Sequence, residues 1–273
     1  MNKDDYKAVF AQVQSVHSTN QDKLEVIMSH KTKHKVNRKP ILVLAAVLLA
    51  ALLSVSAYAI VTLLSPAEVA REAGHDALAE IFENGKGTVI NETVKSKDYI
   101  FTLMGMTAGE NLGEYGLVCT EKTALVVSIR RADGTPLDTM EGFAGQFGSG
   151  VFFSGYKPWQ VSSFMLGMGG SAFDRDGVLY LVLEIGSDIE MFADRIANYA
   201  IWATGGDIGF APGAEVLRME EDGTISFTDG LTVAHAMFTL PLDPAKADPA
   251  RVLQVLEERG FTEEDIAFMQ GQD

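Results

Sequence analysis

The residues with chemical potential in this chain lie in four small groups, and each has a plainer role beside the chemical one. Glu184, Asp188, Glu190 and Asp194 follow one another closely enough for two carboxylates to share acid–base work. Alternation along a strand and turn equally makes them a solvated face, which is the reading adopted. Asp174, Asp176 and Gly177 resemble part of a calcium loop but lack its downstream Glu, so a β-turn is expected there. His30 and His34 have the i, i+4 spacing that holds zinc on a helix, yet no third ligand accompanies them. His75 and His235 sit in no triad signature, and no G-x-S-x-G occurs. His75 is placed on the polar side of a helix, and His235 among packed or edge strand residues. Neither a catalytic residue nor a cofactor or metal site is identifiable, and no enzymatic activity is expected.

Aromatics offer a weaker, non-catalytic chemistry. Tyr156, Trp159 and Trp202, with Tyr199, suit a groove for glycan or peptide, although core packing is the commoner role for aromatics at strand spacing. The glycine-rich stretches at 145–150 and 167–171 lack the strand-to-helix setting of a nucleotide loop and are expected as tight turns or bulges. Gly85-Lys86-Gly87-Thr88 lacks the spacing of a phosphate loop.

The elements that would position these residues divide sharply along the chain. Residues 1–40 carry eight Lys/Arg against four acids; with 22 bases and 37 acids in the whole chain, 14 bases and 33 acids remain beyond position 40. So acidic a surface excludes nucleic-acid binding, which needs positive charge against phosphate. The single cysteine, Cys119, excludes an intramolecular disulfide framework and a multi-thiolate metal site.

Residues 40–64, PILVLAAVLLAALLSVSAYAIVTLL, carry no charge. A bilayer core of about 30 Å takes roughly 20 helical residues, so this run predicts a transmembrane helix. HKTKHKVNRK precedes it with five Lys/Arg and no acid, and acids dominate the residues that follow. The positive-inside rule then puts the N-terminus in the cytoplasm and the C-terminus outside the cell. The rival is a cleaved secretory signal ending at Ala57-Tyr58-Ala59, opposed by its long n-region and by the apolar residues beyond it. Both readings export the C-terminal portion.

The expected organisation is a cytoplasmic tail (1–39), the membrane helix (40–64), a juxtamembrane helix and linker (65–86), an extracellular β-rich domain (87–248) and C-terminal helices (249–273). In the tail, Tyr6, Phe10 and Val13 make a helical stripe that cannot bury itself alone, so a partner is expected: a protein, another copy of the chain, or membrane lipid, whose anionic headgroups the bases would touch. Residues 67–83 predict one helix, preceded by Ser65 as cap and Pro66 at its first position. Beyond it, β-branched and aromatic segments alternate with turn residues. Strands are predicted at 88–94, 98–106, 123–131, 150–154, 161–168, 178–185, 199–204, 215–220, 224–228 and 233–240. Short strands without regular intervening helices give a mainly β fold, a β-sandwich or partly open barrel with short flanking helices.

Four stretches resemble an uncharacterised β-rich ectodomain of single-pass membrane proteins in Gram-positive, mostly gut, bacteria. They are Lys97-Asp98-Tyr99 with Phe101-Thr102-Leu103, Ala132-Asp133-Gly134-Thr135-Pro136, residues 190–195 and residues 238–248. The layout is similar to that of membrane-anchored anti-sigma factors, which implies an external sensor and a tail that holds a cytoplasmic partner such as a sigma factor. The His and paired Cys of the zinc-binding anti-sigma type are missing. The alternative is a membrane-anchored surface module binding glycan or peptide without catalysis.

Overall fold

Strand Val178–Ile185 reads VLYLVLEI, apolar at nearly every position, and that continuity is the key to the architecture. A half-buried strand alternates; one covered on both faces does not. The computed structural model describes residues 63–108, 122–137, 146–204, 216–262 and 264–265, and in them the chain is mainly β. The tail and nearly all of the apolar run, 1–62, lie outside the described residues, as does Cys119. Among the described residues no helix is long and apolar enough to cross a membrane.

In chain order the elements are α1 (Pro66–Glu72), α2 (Asp76–Glu83), β1 (Thr88–Ser96), β2 (Tyr99–Thr107), β3 (Thr123–Arg131), β4 (Phe147–Phe153), β5 (Met168–Arg175), β6 (Val178–Ile185), β7 (Ala197–Ala203), β8 (Leu217–Met219), β9 (Ile225–Phe227), β10 (His235–Thr239) and α3 (Pro249–Glu258). Two 3-10 turns, Ile189–Phe192 and Pro244–Lys246, join them. A five-stranded sheet has the order β1-β2-β3-β6-β5 and a three-stranded one β10-β7-β4, with β8-β9 as a separate hairpin. All pairings are antiparallel.

The period of two sorts the side chains into layers. Leu125, Val127 and Ile129 of β3 and Leu179, Leu181 and Leu183 of β6 enter the main core, where they meet Val151, Phe153, Tyr199, Ile201 and Phe238 of the smaller sheet. Their neighbours Val126, Tyr180 and Val182 face the other way and pack with Val69, Leu78, Ile81 and Phe82 of α1 and α2. On the far side of the smaller sheet, Phe152, Ala200 and Trp202 are covered by Leu217 and Ile225 of the β8-β9 hairpin. The result is a sandwich-like stack in which the central strands are buried on two faces, whereas the edge strands β1 and β5 stay largely exposed.

Three expectations need correction. The single helix at 67–83 is two, because Gly74 adopts a left-handed φ of 84° and turns the chain between α1 and α2. The strand expected at 161–168 is a series of turns: Leu166 donates to the Ser162 carbonyl and Met168 to that of Ser163, leaving one isolated bridge, Phe152–Ser162. The strand follows at β5, where Gly169 and Gly170 lie within the ladder instead of a loop. Likewise Gly148 and Gly150 belong to β4. The caps are as predicted: Ser65 Oγ accepts from the Glu68 N–H at 3.3 Å, and the Glu68 carboxylate accepts from the Ser65 N–H at 2.7 Å. Asp176 (φ 54°) and Gly177 (φ 77°) make the tight β5–β6 turn.

Candidate functional site

The four clustered acids have four different environments. Glu184 projects from the helix-covered face of β6. Asp188 caps the 3-10 turn Ile189–Phe192, its carboxylate accepting from the Glu190 N–H at 3.1 Å. Asp194 pairs with Arg195 at 2.9 Å, and those hydrogen bonds hold its carboxyl below the usual range. Arg195 in turn lies 4.6 Å over the Tyr156 ring. Glu190 is not on a solvated face: it is 7% exposed, because its turn is folded in against the segment that leads to α3. Burial pushes its carboxyl above the ordinary value, partly offset by the Asp243 N–H and the charge of Lys246.

Glu190 forms part of the wall of a cavity of about 300 Å³ between the two 3-10 turns and α3, lined also by Ser187, Asp188, Met191, Lys246, Asp248 and Arg251. Its frame is the hydrogen bond from Asp243 N–H to Glu190 Oε2 (2.8 Å) and that from Asp248 N–H to the Met191 carbonyl (3.0 Å). Asp248 also caps α3, accepting from the Arg251 N–H at 2.9 Å. Three acids and two bases line this space, which suits a small polar or zwitterionic molecule.

A second cluster joins elements far apart in sequence. His75, which precedes α2 after the Gly74 turn, places Nε2 2.9 Å from Ser171 Oγ of β5 and Nδ1 3.3 Å from Glu184 Oε1 of β6. Lys122 Nζ holds the other Glu184 oxygen at 3.2 Å. Ser171 carries no local sequence signal, standing 96 residues from His75. Only the topology, which lays the helices over the β5–β6 edge, unites them.

The aromatics proposed for a groove are dispersed. Tyr156 (1% exposed) belongs to the main core and Trp202 (5%) to the cluster under the β8-β9 hairpin, whereas Trp159 is 45% exposed. Tyr199 is fully buried. The His235 ring lies 4.3 Å from that of Phe227, tilted by 46°, and shares a 2.9 Å hydrogen bond with the Val233 carbonyl, in keeping with a packed residue. Asp174 lies in β5 and Asp176 in the β5–β6 turn, and among the described residues no group of three potential ligands converges on a metal position. Tyr6, Phe10, Val13, His30 and His34 lie outside the described residues. Comparison with protein-family models, curated proteins and solved structures finds no match to the chain.

Proposed function

We infer that the chain is a single-pass membrane signalling protein, with an external sensor domain and a cytoplasmic tail that binds a partner protein, in the layout of an anti-sigma factor. The observation that carries this reading is the junction at Leu63–Leu64. Both side chains pack against the helix-and-sheet cluster, and the Leu64 N–H donates to Tyr180 Oη at 3.2 Å. α1 then starts at Pro66, fixed by the Ser65–Glu68 capping box. A mere anchor needs no fixed attachment, and a flexible spacer would serve it as well. In this reading the docked Leu63–Leu64 pair is the point through which a shift of the domain reaches the apolar run. With Leu63 and Leu64 docked, residues 40–62 still supply 23 uncharged residues, above the roughly 20 needed to span.

The cavity beside Glu190 is the pocket this reading assigns to a sensed small molecule. The alternative, a surface module that binds glycan or peptide through Tyr156, Trp159 and Trp202, is supported by Trp159 alone, since the other two rings are covered. The test is affinity capture of the full chain from membranes. A specific cytoplasmic protein, lost when Tyr6, Phe10 and Val13 are replaced by Ala, is expected. Recovery of no specific protein, or of the same proteins from both chains, overturns the reading.

A further inference from the structure

Ser171, His75 and Glu184 have the connectivity of a nucleophile–base–orienter relay, with each contact made by the right nitrogen. Glu184 Oε1 lies against His75 Nδ1 and Ser171 Oγ against Nε2. With the imidazole proton on Nδ1, facing the Glu184 carboxylate 3.3 Å away, Nε2 offers its lone pair to the serine hydroxyl. Lys122 occupies the second Glu184 oxygen and so fixes the rotation of the carboxylate. The imidazole is fixed through its backbone: the His75 N–H donates to the Ala70 carbonyl at 2.8 Å, and the His75 carbonyl accepts from Ala79 N–H at 3.0 Å.

The surroundings of Ser171 leave room for a substrate. Gly169 stands on the same strand face, opposite Glu184, and a Cβ added there would meet nothing within 4 Å. β5 is an edge strand of its sheet. The two-residue turn makes Arg175–Val178 a doubly bonded pair, and counting back by twos makes Ser171–Val182 another. Ala172, the residue after the serine, therefore directs its N–H away from β6, to the side where among the described residues no strand pairs with β5 and a backbone donor can meet a developing oxyanion.

We propose that Ser171, His75 and Glu184 form a serine-esterase site for carboxylic esters with a short acyl group. Ser171 Oγ attacks the ester carbonyl while its proton passes to His75 Nε2. The C–O bond to the alcohol breaks, and His75 returns that proton to the departing alkoxide. Water then attacks the acyl-serine, giving its proton to His75, and collapse releases the acid and restores the Ser171 hydroxyl. The short-acyl preference rests on the space that the absent Gly169 side chain leaves beside Ser171.

The test uses the full chain in detergent, a fluorophosphonate probe and p-nitrophenyl acetate. An adduct on Ser171, located by peptide mass spectrometry, and turnover that Ser171→Ala abolishes are expected. Glu184→Gln should lower turnover by about 10²-fold or more while retaining the fold, which circular dichroism reads. His75→Gln should remove both the adduct and the turnover. No adduct on Ser171 in the wild-type chain, or equal turnover in Ser171→Ala, overturns the proposal. Neither result bears on partner capture by the tail, so the two readings fail separately.

Discussion

Glu190 Oε2 accepts a 2.8 Å hydrogen bond from the backbone N–H of Asp243, 53 residues further along the chain. The bond ties together residues 190–195 and 238–248, two of the four stretches singled out in the sequence. The other two are tied in the same manner: the Ala132 N–H donates to the Asp98 carbonyl at 2.8 Å, joining the β1–β2 turn to the end of β3. Thr135 closes this second site, its N–H and hydroxyl both donating to Asp133 Oδ1 at 2.9 and 2.7 Å. These four stretches are therefore two pairs of segments whose contacts lock strand ends together.

The raised Glu190 carboxyl makes stability depend on pH with a definite sign. The native state holds this proton to higher pH than the unfolded chain, whose carboxylate titrates near pH ~4.3. The stabilisation is full below that value and is lost as pH rises through the raised one. Glu190→Gln keeps an acceptor for Asp243 and does not titrate. Denaturation midpoints at pH 4, 5.5 and 7 should show the Gln variant gaining on the wild type as pH rises. A constant gap contradicts this.

Gly148 faces Trp202 across the β4–β7 ladder, and an added Cβ would fall on the indole ring. Gly148→Ala should destabilise the domain by about 1–3 kcal/mol by overpacking. In a Trp159→Phe background, where Trp202 is the remaining tryptophan, its emission should shift to the red. By contrast Trp159→Phe alone, at an exposed position, should change stability by less than about 0.5 kcal/mol in urea titration.

Tyr180→Phe removes the hydroxyl that accepts from Leu64 N–H and leaves the rest of a buried ring in place. A loss of about 0.5–1.5 kcal/mol is expected. The specific sign is faster amide exchange at Leu64, with exchange in β3 unchanged. Unaltered Leu64 exchange would mean that the hydroxyl does not hold the junction.

Ser65→Ala breaks both the side-chain cap of α1 and the reciprocal arrangement with Glu68. The cost should be about 1 kcal/mol, read as a lower unfolding midpoint. Glu68→Gln should cost less, since Gln can also accept from the Ser65 N–H.

How far the sequence carries depends on the range of each determinant. The tight turn at Asp176-Gly177, the cap at Ser65 and strands such as β3 and β6 were legible because a few adjacent residues decide them. β5 was not: an edge strand reading MGGSAFDR needs little apolar alternation, and its two glycines resemble a loop. The apolar Val161 and Leu166 suggested a strand nearby, yet they are buried by turns that fold back on β4. The cluster of His75, Ser171 and Glu184 depends on a helix pair crossing the β5–β6 edge, which no local spacing encodes. Glu190 departs from the expected solvated face for a similar reason, since its cover comes from residues beyond position 240.

Which side of the membrane each part occupies tests the account most directly. In cells producing the full chain with Cys119→Ser, one cysteine is introduced at a time, at Ser18 in the tail or at the exposed Glu257 of α3. A membrane-impermeant maleimide is then applied before and after permeabilisation. The account predicts that Glu257→Cys is labelled in intact cells and Ser18→Cys only once they are permeabilised. Labelling of Ser18→Cys in intact cells, or protection of Glu257→Cys until permeabilisation, would contradict it.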